Sequence, residues 1–367
     1  MISEIHDSHL KQYQGKRILV TGHTGFKGSW LTLWLYQLGV DVVGYALEPP
    51  TTPNMFHICG IENLITSIHG DVRDQSHFQN VCLTYEPEII FHLAAQALVR
   101  RSYNDPVTTY TTNVMGTLNV LEACRNISSV KALVIITSDK CYENREWVWG
   151  YREIDALGGY DPYSSSKGCA ELVTQAYMHS FFPSETYAEH GKAIATVRAG
   201  NVIGGGDWAE DRLIPDCMRA VESGETLTVR YPHATRPWQH VLEPLYGYLT
   251  VAQHLYNDGS RFNGAWNFGP RDENVYPVRW LLEYIQEQTG NKLIWEYEEK
   301  EPVIQEAHYL KLDCSKAKTE LGWRPHWDLQ TALDYTIAWY EAYHRRESML
   351  DITLAQITDY EQTATHR

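Results

Sequence analysis

The segment Val20–Gly28, VTGHTGFKG, decides the fold of this chain. It follows a short apolar run, RILVT, and leads into Phe26–Leu38, where Leu and Trp residues recur at helical spacing. Its glycines, Gly22, Gly25 and Gly28, form a G-x-x-G-x-x-G turn between a predicted strand and a predicted helix. Such a turn lets the backbone approach a pyrophosphate, and the helix N-terminus offers unpaired N–H groups. The segment therefore predicts a dinucleotide site at the start of an α/β sheet.

Short apolar runs alternate with helical stretches from this turn to about residue 200. The predicted strands are 17–21, 40–47, 64–70, 88–93, 132–137 and 193–198, and the predicted helices are 26–38, 75–85, 106–126 and 161–182. This order predicts a doubly wound, parallel, Rossmann-type sheet with helices on both faces. The strands are almost continuously apolar, which is typical of strands buried on both sides.

The regular alternation ends after residue 200, where a stretch rich in Asp, Arg, Pro and Trp begins. A strand is predicted at 265–268, and helices are predicted at about 277–288 and 329–346. We expect residues 1–200 to form the cofactor-binding domain, with part of 237–270 returning to it. Residues 201–236 and 271–367 are expected to form a smaller, mixed α/β C-terminal lobe that binds the substrate.

Composition excludes several classes of function. The 367 residues include 31 Lys+Arg and 46 Asp+Glu, for a net charge of −15, which argues against nucleic acid or an anionic membrane as a partner. The seven cysteines are scattered without a Cys-x-x-Cys pair, which favours reduced thiols in the cytoplasm, and the histidines predict no metal site. The opening sixteen residues lack the apolar core of a signal peptide, and no apolar run reaches the ~18 residues of a membrane span. We therefore expect a cytoplasmic protein.

Further candidate cofactor contacts lie near the ends of the predicted strands. The usual fingerprint has an acid about 20 residues after the glycines. Here only Glu48 lies nearby, and it can also be a solvated loop carboxylate, so the choice between NAD and NADP stays open. Asp71 follows the third strand, where it can contact the adenine or cap a helix. His23 and Lys27 can neutralise cofactor phosphates or remain solvated.

The candidate catalytic groups are Tyr163 and Lys167, which lie four residues apart at the start of a predicted helix and so share one face. A phenol with a pKa of about 10 is a poor base at neutral pH. A neighbouring ammonium favours the phenolate and can also hold the nicotinamide ribose. Ser138, in the strand-end sequence TSDK, supplies a hydroxyl that can bond the reacting oxygen.

Taken in order, these motifs resemble the extended short-chain dehydrogenase/reductase family over about residues 16–345. They are Gly22/Gly25/Gly28, Asp71, His92–Ala95 (HLAA), Asn113–Thr117 (NVMGT), Thr137–Lys140 and Tyr163/Lys167. Within the family the chain is most similar to nucleotide-sugar dehydratases, and segments 22–30, 137–142 and 236–242 resemble those acting on CDP-glucose. The resemblance implies NAD as cofactor, with Phe26 and Ala94 among its contacts, and CDP-glucose as substrate.

The resemblance also implies a reaction that proceeds through transient oxidation. Tyr163 takes the proton of the sugar 4-hydroxyl while hydride passes from C4 to NAD+. The ketone acidifies the C5 hydrogen, water leaves from C6, and the hydride returns to C6. Asp139 matches the acid of this elimination, but Lys140 stands where many members carry a glutamate base. A lysine acts as a base only if its pKa is lowered, so the alternative for Lys140 is a structural ion pair with Asp139 or Glu143.

Four positions are candidates for binding the substrate. Asn201 lies where the asparagine of the family binds the phosphate of the sugar nucleotide. Arg236, beside Trp238, is a candidate pyrophosphate clamp because a guanidinium engages two phosphate oxygens, with a surface ion pair as the alternative. Gln96 and Arg100 follow the fourth strand and are expected to line the sugar pocket.

Two other functions stay open on the sequence. A nucleotide-sugar 4-epimerase or ketoreductase needs Tyr163 and Lys167 but no acid–base pair at 139–140. A non-catalytic NAD-binding regulator needs none of these groups. The resemblance implies a homodimer or homotetramer that pairs through the helices near 106–126 and 161–182. It also implies a place in the synthesis of bacterial surface polysaccharide such as lipopolysaccharide O-antigen.

Overall fold

The computed structural model describes residues 10–297 and 310–365 of the chain. The strands in this part are β1 (Arg17–Thr21), β2 (Asp41–Ala46), β3 (Thr66–His69), β4 (Ile89–His92), β5 (Ala132–Ile136), β6 (Ala193–Ala199), β7 (Asn201–Ile203), β8 (Thr226–Val229), β9 (Thr235–His240), β10 (Gly264–Phe268), β11 (Val275–Pro277) and β12 (Ile294–Tyr297). The helices are α1 (Phe26–Gln37), α2 (Met55–Ile58), α3 (Gln75–Tyr85), α4 (Val99–Asn104), α5 (Pro106–Tyr110), α6 (Gly116–Asn126), α7 (Pro162–Ser180), α8 (Tyr187–His190), α9 (Leu213–Ser223), α10 (Leu242–Asp258), α11 (Val278–Gln288), α12 (Ser315–Glu320), α13 (Leu329–His344) and α14 (Met349–Thr365).

The main sheet has seven parallel strands in the order β10-β6-β5-β4-β1-β2-β3. Every residue of β5 and β6 is buried, as expected for strands covered on both faces by helices. The predicted Rossmann-type fold is therefore confirmed. The chain runs outward in one direction from β1 to β3 and in the other from β4 to β10, so the switch point lies between β1 and β4. Ligands of such sheets bind at the carboxyl ends of the strands beside this point.

The stretch 106–126, predicted as one helix, contains a π-helical turn at Thr111–Met115 between α5 and α6. The side chain of Asn113 lies in this turn and accepts a hydrogen bond from the Gln96 backbone N–H at 2.8 Å. It also donates to the Gln96 carbonyl at 3.0 Å and to the Ser166 hydroxyl at 2.8 Å. The wider turn thus ties the loop after β4 to α7, and periodicity alone does not reveal it.

The second lobe contains the small sheets β11-β9-β7 and β12-β8. Because β7 begins only two residues after β6 ends, this lobe starts at the carboxyl edge of the main sheet. The last helix, α14, packs on α1 instead, and Trp34 Nε1 donates to Glu361 Oε1 at 2.7 Å. None of the helices within the described residues is long and apolar enough to cross a membrane.

Candidate active site

The turn between β1 and α1 is built for close backbone packing. Gly22 has φ +75°, and a Cβ there would lie 2.7 Å from the backbone nitrogen of Ala94, after β4. A Cβ on Gly28 would overlap the Gly22 carbonyl oxygen. Gly25 is the N-cap residue of α1 and has no side chain to occupy the first turn. The result is an open cradle at a helix N-terminus, which fits the pyrophosphate of a dinucleotide.

Two alanine substitutions in this turn are expected to separate folding from cofactor binding. Gly28→Ala forces a methyl group into the Gly22 carbonyl, so the free energy of unfolding should fall by up to ~3 kcal/mol and NAD binding should be lost. Gly25→Ala meets only the Gly22 oxygen, at 3.4 Å, so it should keep the wild-type melting temperature while its methyl obstructs the cofactor. Thermal unfolding and NAD titration measure both. Equal melting temperatures for the two variants would contradict this account.

Three polar residues near the turn differ in burial and in their hydrogen-bond partners. His23 is fully buried, its Nε2 lies 2.7 Å from Ser67 Oγ, and burial lowers its pKa to about 4. The alternative that this side chain is solvated is therefore wrong, and its contact with a cofactor phosphate stays a prediction. Glu48 is 78% exposed, as expected of a loop carboxylate. Asp71 accepts from Arg73 Nε at 2.8 Å, and that hydrogen bond holds the pKa of Asp71 below its usual value.

Tyr163 and Lys167 are placed by the start of α7. Asp161 caps the helix by accepting from the Ser164 backbone N–H at 2.9 Å, and Pro162 occupies its first turn. Lys167 Nζ donates to the Ile136 carbonyl at the end of β5, at 3.1 Å. Burial lowers the pKa of Lys167 to about 8 and raises the pKa of Tyr163 to about 12, although a hydrogen bond with Ser138 opposes the latter shift.

The end of β5 brings the remaining predicted catalytic residues to the same place. Ser138 Oγ donates to Asp139 Oδ1 at 3.0 Å and accepts from the Lys140 backbone N–H at 3.2 Å. Asp139 is buried, and this burial raises its pKa although the charge of Lys140 partly opposes the shift. Lys140 itself is half-buried. A phenol, an ammonium, a hydroxyl and a buried carboxyl with a raised pKa therefore meet at the carboxyl edge of the sheet.

Two cations and a further phenol join this cluster from distant parts of the chain. Lys27 Nζ lies 3.5 Å from the hydroxyl of Tyr248, a buried residue of α10. Burial and the charges of Arg212 and Lys167 lower the pKa of Lys27 to about 7. Arg212, which is paired with an aspartate of its own loop, favours the phenolate of Tyr163. Arg212 and Tyr248 could not be found from the sequence, because neither lies in a motif and only the tertiary fold brings them here.

The predicted substrate residues fall into two groups. Asn201 on β7 pairs with Trp238 on β9. Arg236 also lies on β9, and its positive charge favours the ionised form of Asp139. Asn201 and Arg236 both lie next to a small surface cleft lined by Gly200, Pro237, Gly269, Pro270, Asp272, Val275, Lys311 and Leu312. These two residues are therefore positioned at the junction between the sheet and the second lobe.

The Gln96 side chain is bonded within the loop after β4, whereas Arg100 forms an exposed ion pair. The Gln96 amide donates to the Leu98 carbonyl and the Thr109 hydroxyl, each at 3.0 Å, and accepts from the Leu98 N–H at 2.7 Å. The expectation that this side chain lines the sugar pocket is not supported, because its hydrogen-bonding groups hold the loop after β4. Arg100 forms an ion pair with Asp211 at 2.6 Å, which links α4 to the loop before α9.

Comparison with known proteins agrees with this arrangement. The family model described as GDP-mannose 4,6 dehydratase matches residues 19–336. The chain belongs to this family. A CDP-glucose 4,6-dehydratase of Salmonella typhimurium is 53% identical over 354 residues, which cover 96% of this chain and 98% of that protein. A dTDP-glucose 4,6-dehydratase of Haemophilus influenzae is 25% identical, covering 88% and 97% of the two chains.

Solved structures share the fold at lower identity. A UDP-glucose 4-epimerase of Thermotoga maritima, solved with UDP-glucose, has a TM-score of 0.75 and 23% identity, covering 89% of this chain and 99% of that one. A UDP-glucose 4-epimerase of Brucella ovis, solved with NAD, has the same TM-score and identity over 88% and 97%. These structures show the fold, and the family match with the 53% identical relative confirms the predicted resemblance to nucleotide-sugar dehydratases.

Proposed function

We propose that this chain is an NAD-dependent lyase that converts CDP-D-glucose to CDP-4-dehydro-6-deoxy-D-glucose. The 53% identity to the Salmonella relative along nearly its whole length supports the substrate. The observation that carries the chemistry is the buried carboxyl of Asp139, which is hydrogen-bonded to Ser138 beside Tyr163. Simple oxidation needs only the phenol and its ammonium, whereas elimination of water also needs a group that can donate a proton.

NAD fits the open cradle of the glycine turn. Gly22, Gly25 and Gly28 would hold its pyrophosphate, with the backbones of Phe26 and Ala94 alongside, and Lys167 would hold its ribose. When bound, NAD+ would supply the redox chemistry, as the acceptor of the C4 hydride and the donor of that hydride to C6. Asp71, the backbone of His23, and Lys27 remain proposed contacts. The Lys27 charge near the turn favours an anionic group.

The side chains of the cluster have distinct parts in oxidation. Tyr163 accepts the proton of the sugar 4-hydroxyl. Because burial raises its pKa to about 12, its phenolate depends on the Ser138 hydrogen bond and on nearby positive charge. Lys167, with a pKa of about 8, is mostly protonated at pH 7 and supplies part of that charge. Ser138 orients the reacting oxygen.

The proton transfers of the elimination step are assigned to the residues that follow β5. Asp139 keeps a proton more readily than an exposed aspartate because burial raises its pKa, so it can protonate the departing C6 hydroxyl. Lys140, its neighbour, removes the C5 proton or orients the base that does so. Asn201, Arg236 and Arg100 are proposed to bind the nucleotide sugar, the first two through its diphosphate.

The role of Lys140 can be tested by exchange of the C5 hydrogen. Lys140→Ala is expected to slow deuterium incorporation at C5 from D₂O by about 10²-fold or more, the usual cost of losing a general base. Mass spectrometry of the recovered sugar measures the incorporation. Lys131→Ala, an exposed lysine at the other end of the same strand, is the matched control. Exchange at the full rate would leave the alternative, a structural ion pair with Asp139. The other partner considered for Lys140, Glu143, forms an ion pair with Arg145, with Oε2 3.2 Å from Nη2.

Incubation with CDP-glucose separates the candidate functions. A 4-keto-6-deoxy product supports the lyase, whereas an epimerised sugar supports a 4-epimerase, the activity named for the structural neighbours. Absence of turnover over a panel of nucleoside-diphosphate sugars would support an NAD-binding regulator. The intact group of Ser138, Tyr163 and Lys167 argues against the last.

A homodimer or homotetramer is proposed, with α5, α6 and α7 at the interface. Val107 on α5 is 71% exposed, and Leu172 on α7 is 55% exposed, although both are apolar. The two helices that carry them pack on each other. Light scattering is expected to show a multiple of 42.2 kDa, and the double substitution Val107→Glu with Leu172→Glu should yield single chains. A wild-type mass of one chain would contradict the proposal.

The proposed setting is the bacterial cytoplasm, in the synthesis of precursors for surface polysaccharide such as O-antigen. All seven cysteines are free thiols, which is the usual state in a reducing compartment. The product of the proposed reaction, a 4-keto sugar nucleotide, suits later reduction or transamination.

A further inference from the structure

A fully buried ion pair lies one helical turn beyond Lys167. Glu171 Oε2 is 2.8 Å from Arg198 Nη2, and neither side chain is exposed at all. Burying two charges costs desolvation energy that their attraction often fails to recover, so apolar residues can replace such pairs without loss of stability. The presence of this pair therefore needs a reason other than stability, and its contacts supply one.

Glu171 connects the catalytic helix to the catalytic strand end. Tyr163, Lys167 and Glu171 are spaced four residues apart on α7 and share one face. The Glu171 carboxylate accepts from Thr137 Oγ1 at 2.5 Å and from Thr196 Oγ1 at 2.7 Å. Since Thr137 directly precedes Ser138 and Asp139, this carboxylate holds α7 against the backbone that carries them.

Arg198 extends the connection to the other side of the site. Its Nη1 donates to the hydroxyl of Tyr142 at 2.6 Å, and that hydroxyl donates to Asn267 Oδ1 at 2.8 Å. Tyr142 follows the short 3-10 turn Asp139–Cys141. The residues on both sides of Ser138 and Asp139 are therefore bonded to one buried pair.

The charges of the pair affect the pKa values of Glu171 and of the neighbouring Lys167. Burial alone would raise the pKa of Glu171, but the Arg198 charge and the hydrogen bonds hold it below its usual value. The ionised Glu171 in turn partly offsets the lowering of the Lys167 pKa by burial. Both partners thus stay charged beside the catalytic ammonium.

We propose that Glu171 and Arg198 are positioning residues, which hold Ser138 and Asp139 at the end of β5 in alignment with Tyr163 and Lys167 on α7. Glu171 lies on α7 with Tyr163 and Lys167, and the pair is bonded to Thr137 and Tyr142, which lie on either side of Ser138 and Asp139. This assignment rests on the proposed function, and it concerns alignment of the reacting groups and not the binding of substrate, whose candidate residues lie on β7 and β9.

The test separates alignment from folding by removing the pair in two ways. Glu171→Gln leaves a buried unpaired guanidinium and should lower the melting temperature. Glu171→Leu combined with Arg198→Met removes both charges and should recover a melting temperature near that of the wild type. We expect kcat of this double variant with CDP-glucose to be about 100-fold below the wild-type value, with KM unchanged. A loss of this size is the usual cost of misplacing reacting groups by about 1 Å.

Two controls keep the outcome decisive. Glu243→Gln alters another fully buried carboxylate, which accepts from the Trp327 N–H at 2.6 Å and the Tyr360 hydroxyl at 2.8 Å. It should lower stability, because both Glu243 oxygens accept hydrogen bonds and an amide nitrogen cannot accept one, and it should leave kcat unchanged. Thr137→Val removes one hydrogen bond to Glu171 without unpairing a charge, so it tests alignment even if the double variant does not fold, and its kcat should fall about tenfold.

The results that would overturn the proposal are distinct from those that would overturn the function. Wild-type kcat in a folded double variant, or in Thr137→Val, shows that the pair is only structural. A wild-type protein that does not convert CDP-glucose rejects the proposed function, and the positioning role with it. A double variant in which KM rises while kcat is unchanged shows a role in binding and overturns alignment.

Discussion

Tyr163→Phe is expected to lower kcat with CDP-glucose by about 10³- to 10⁴-fold, the upper range for loss of a general base. The phenylalanine ring keeps the packing of a side chain that is only 9% exposed, so the melting temperature and NAD affinity should be close to those of the wild type. Only the oxygen that accepts the sugar proton is lost. Steady-state assays of 4-keto-6-deoxy product formation measure the loss, and NAD titration shows that the site remains intact.

Tyr160→Phe is the matched control, because it makes the same change three residues earlier, on a side chain that is 84% exposed. It should retain full activity. If Tyr163→Phe kept more than about a tenth of wild-type kcat, a different group would have to take the proton, and the proposed mechanism would be wrong.

Asp139→Asn is expected to slow loss of water from C6 by about 10²- to 10⁴-fold. The amide can still accept the 3.0 Å hydrogen bond from Ser138, but it has no transferable carboxyl proton. Exchange of the C5 hydrogen should continue, because it precedes protonation of the leaving hydroxyl. The decisive measurement is the ratio of C5 deuterium incorporation to product formation, which should rise well above the wild-type value.

The stability of the same variant provides a second readout. The buried Asp139 carboxyl has a raised pKa, which means that its ionised form is disfavoured by the fold. Replacing it by a neutral amide should therefore not lower the melting temperature at pH 7. Asp41→Asn, at a 60% exposed carboxylate on β2, is the control. If exchange and product formation fell together in Asp139→Asn, this residue would act at the oxidation step.

Much of the fold was predictable from the sequence because its signals are local. The glycine spacing at 22, 25 and 28 and the apolar runs at 132–136 and 193–198 predict a strand–turn–helix unit and buried parallel strands, and the structure confirms them. Two side chains lie differently from what their place in the sequence suggests. His23 lies in a motif that suggests phosphate binding, but it is buried against Ser67, and Gln96 follows a strand end but is bonded to its own loop.

The sequence by itself determined the order of strands and helices, the shared face of Tyr163 and Lys167, and the reactive TSDK strand end, because each depends on neighbours a few residues away. Only the tertiary structure decided the protonation of these groups and what surrounds them. Lys27, Arg212 and Tyr248 come from three separate parts of the chain, and the buried Glu171–Arg198 pair joins a helix to a strand. Burial and charge act through space, so no local pattern in the chain encodes them.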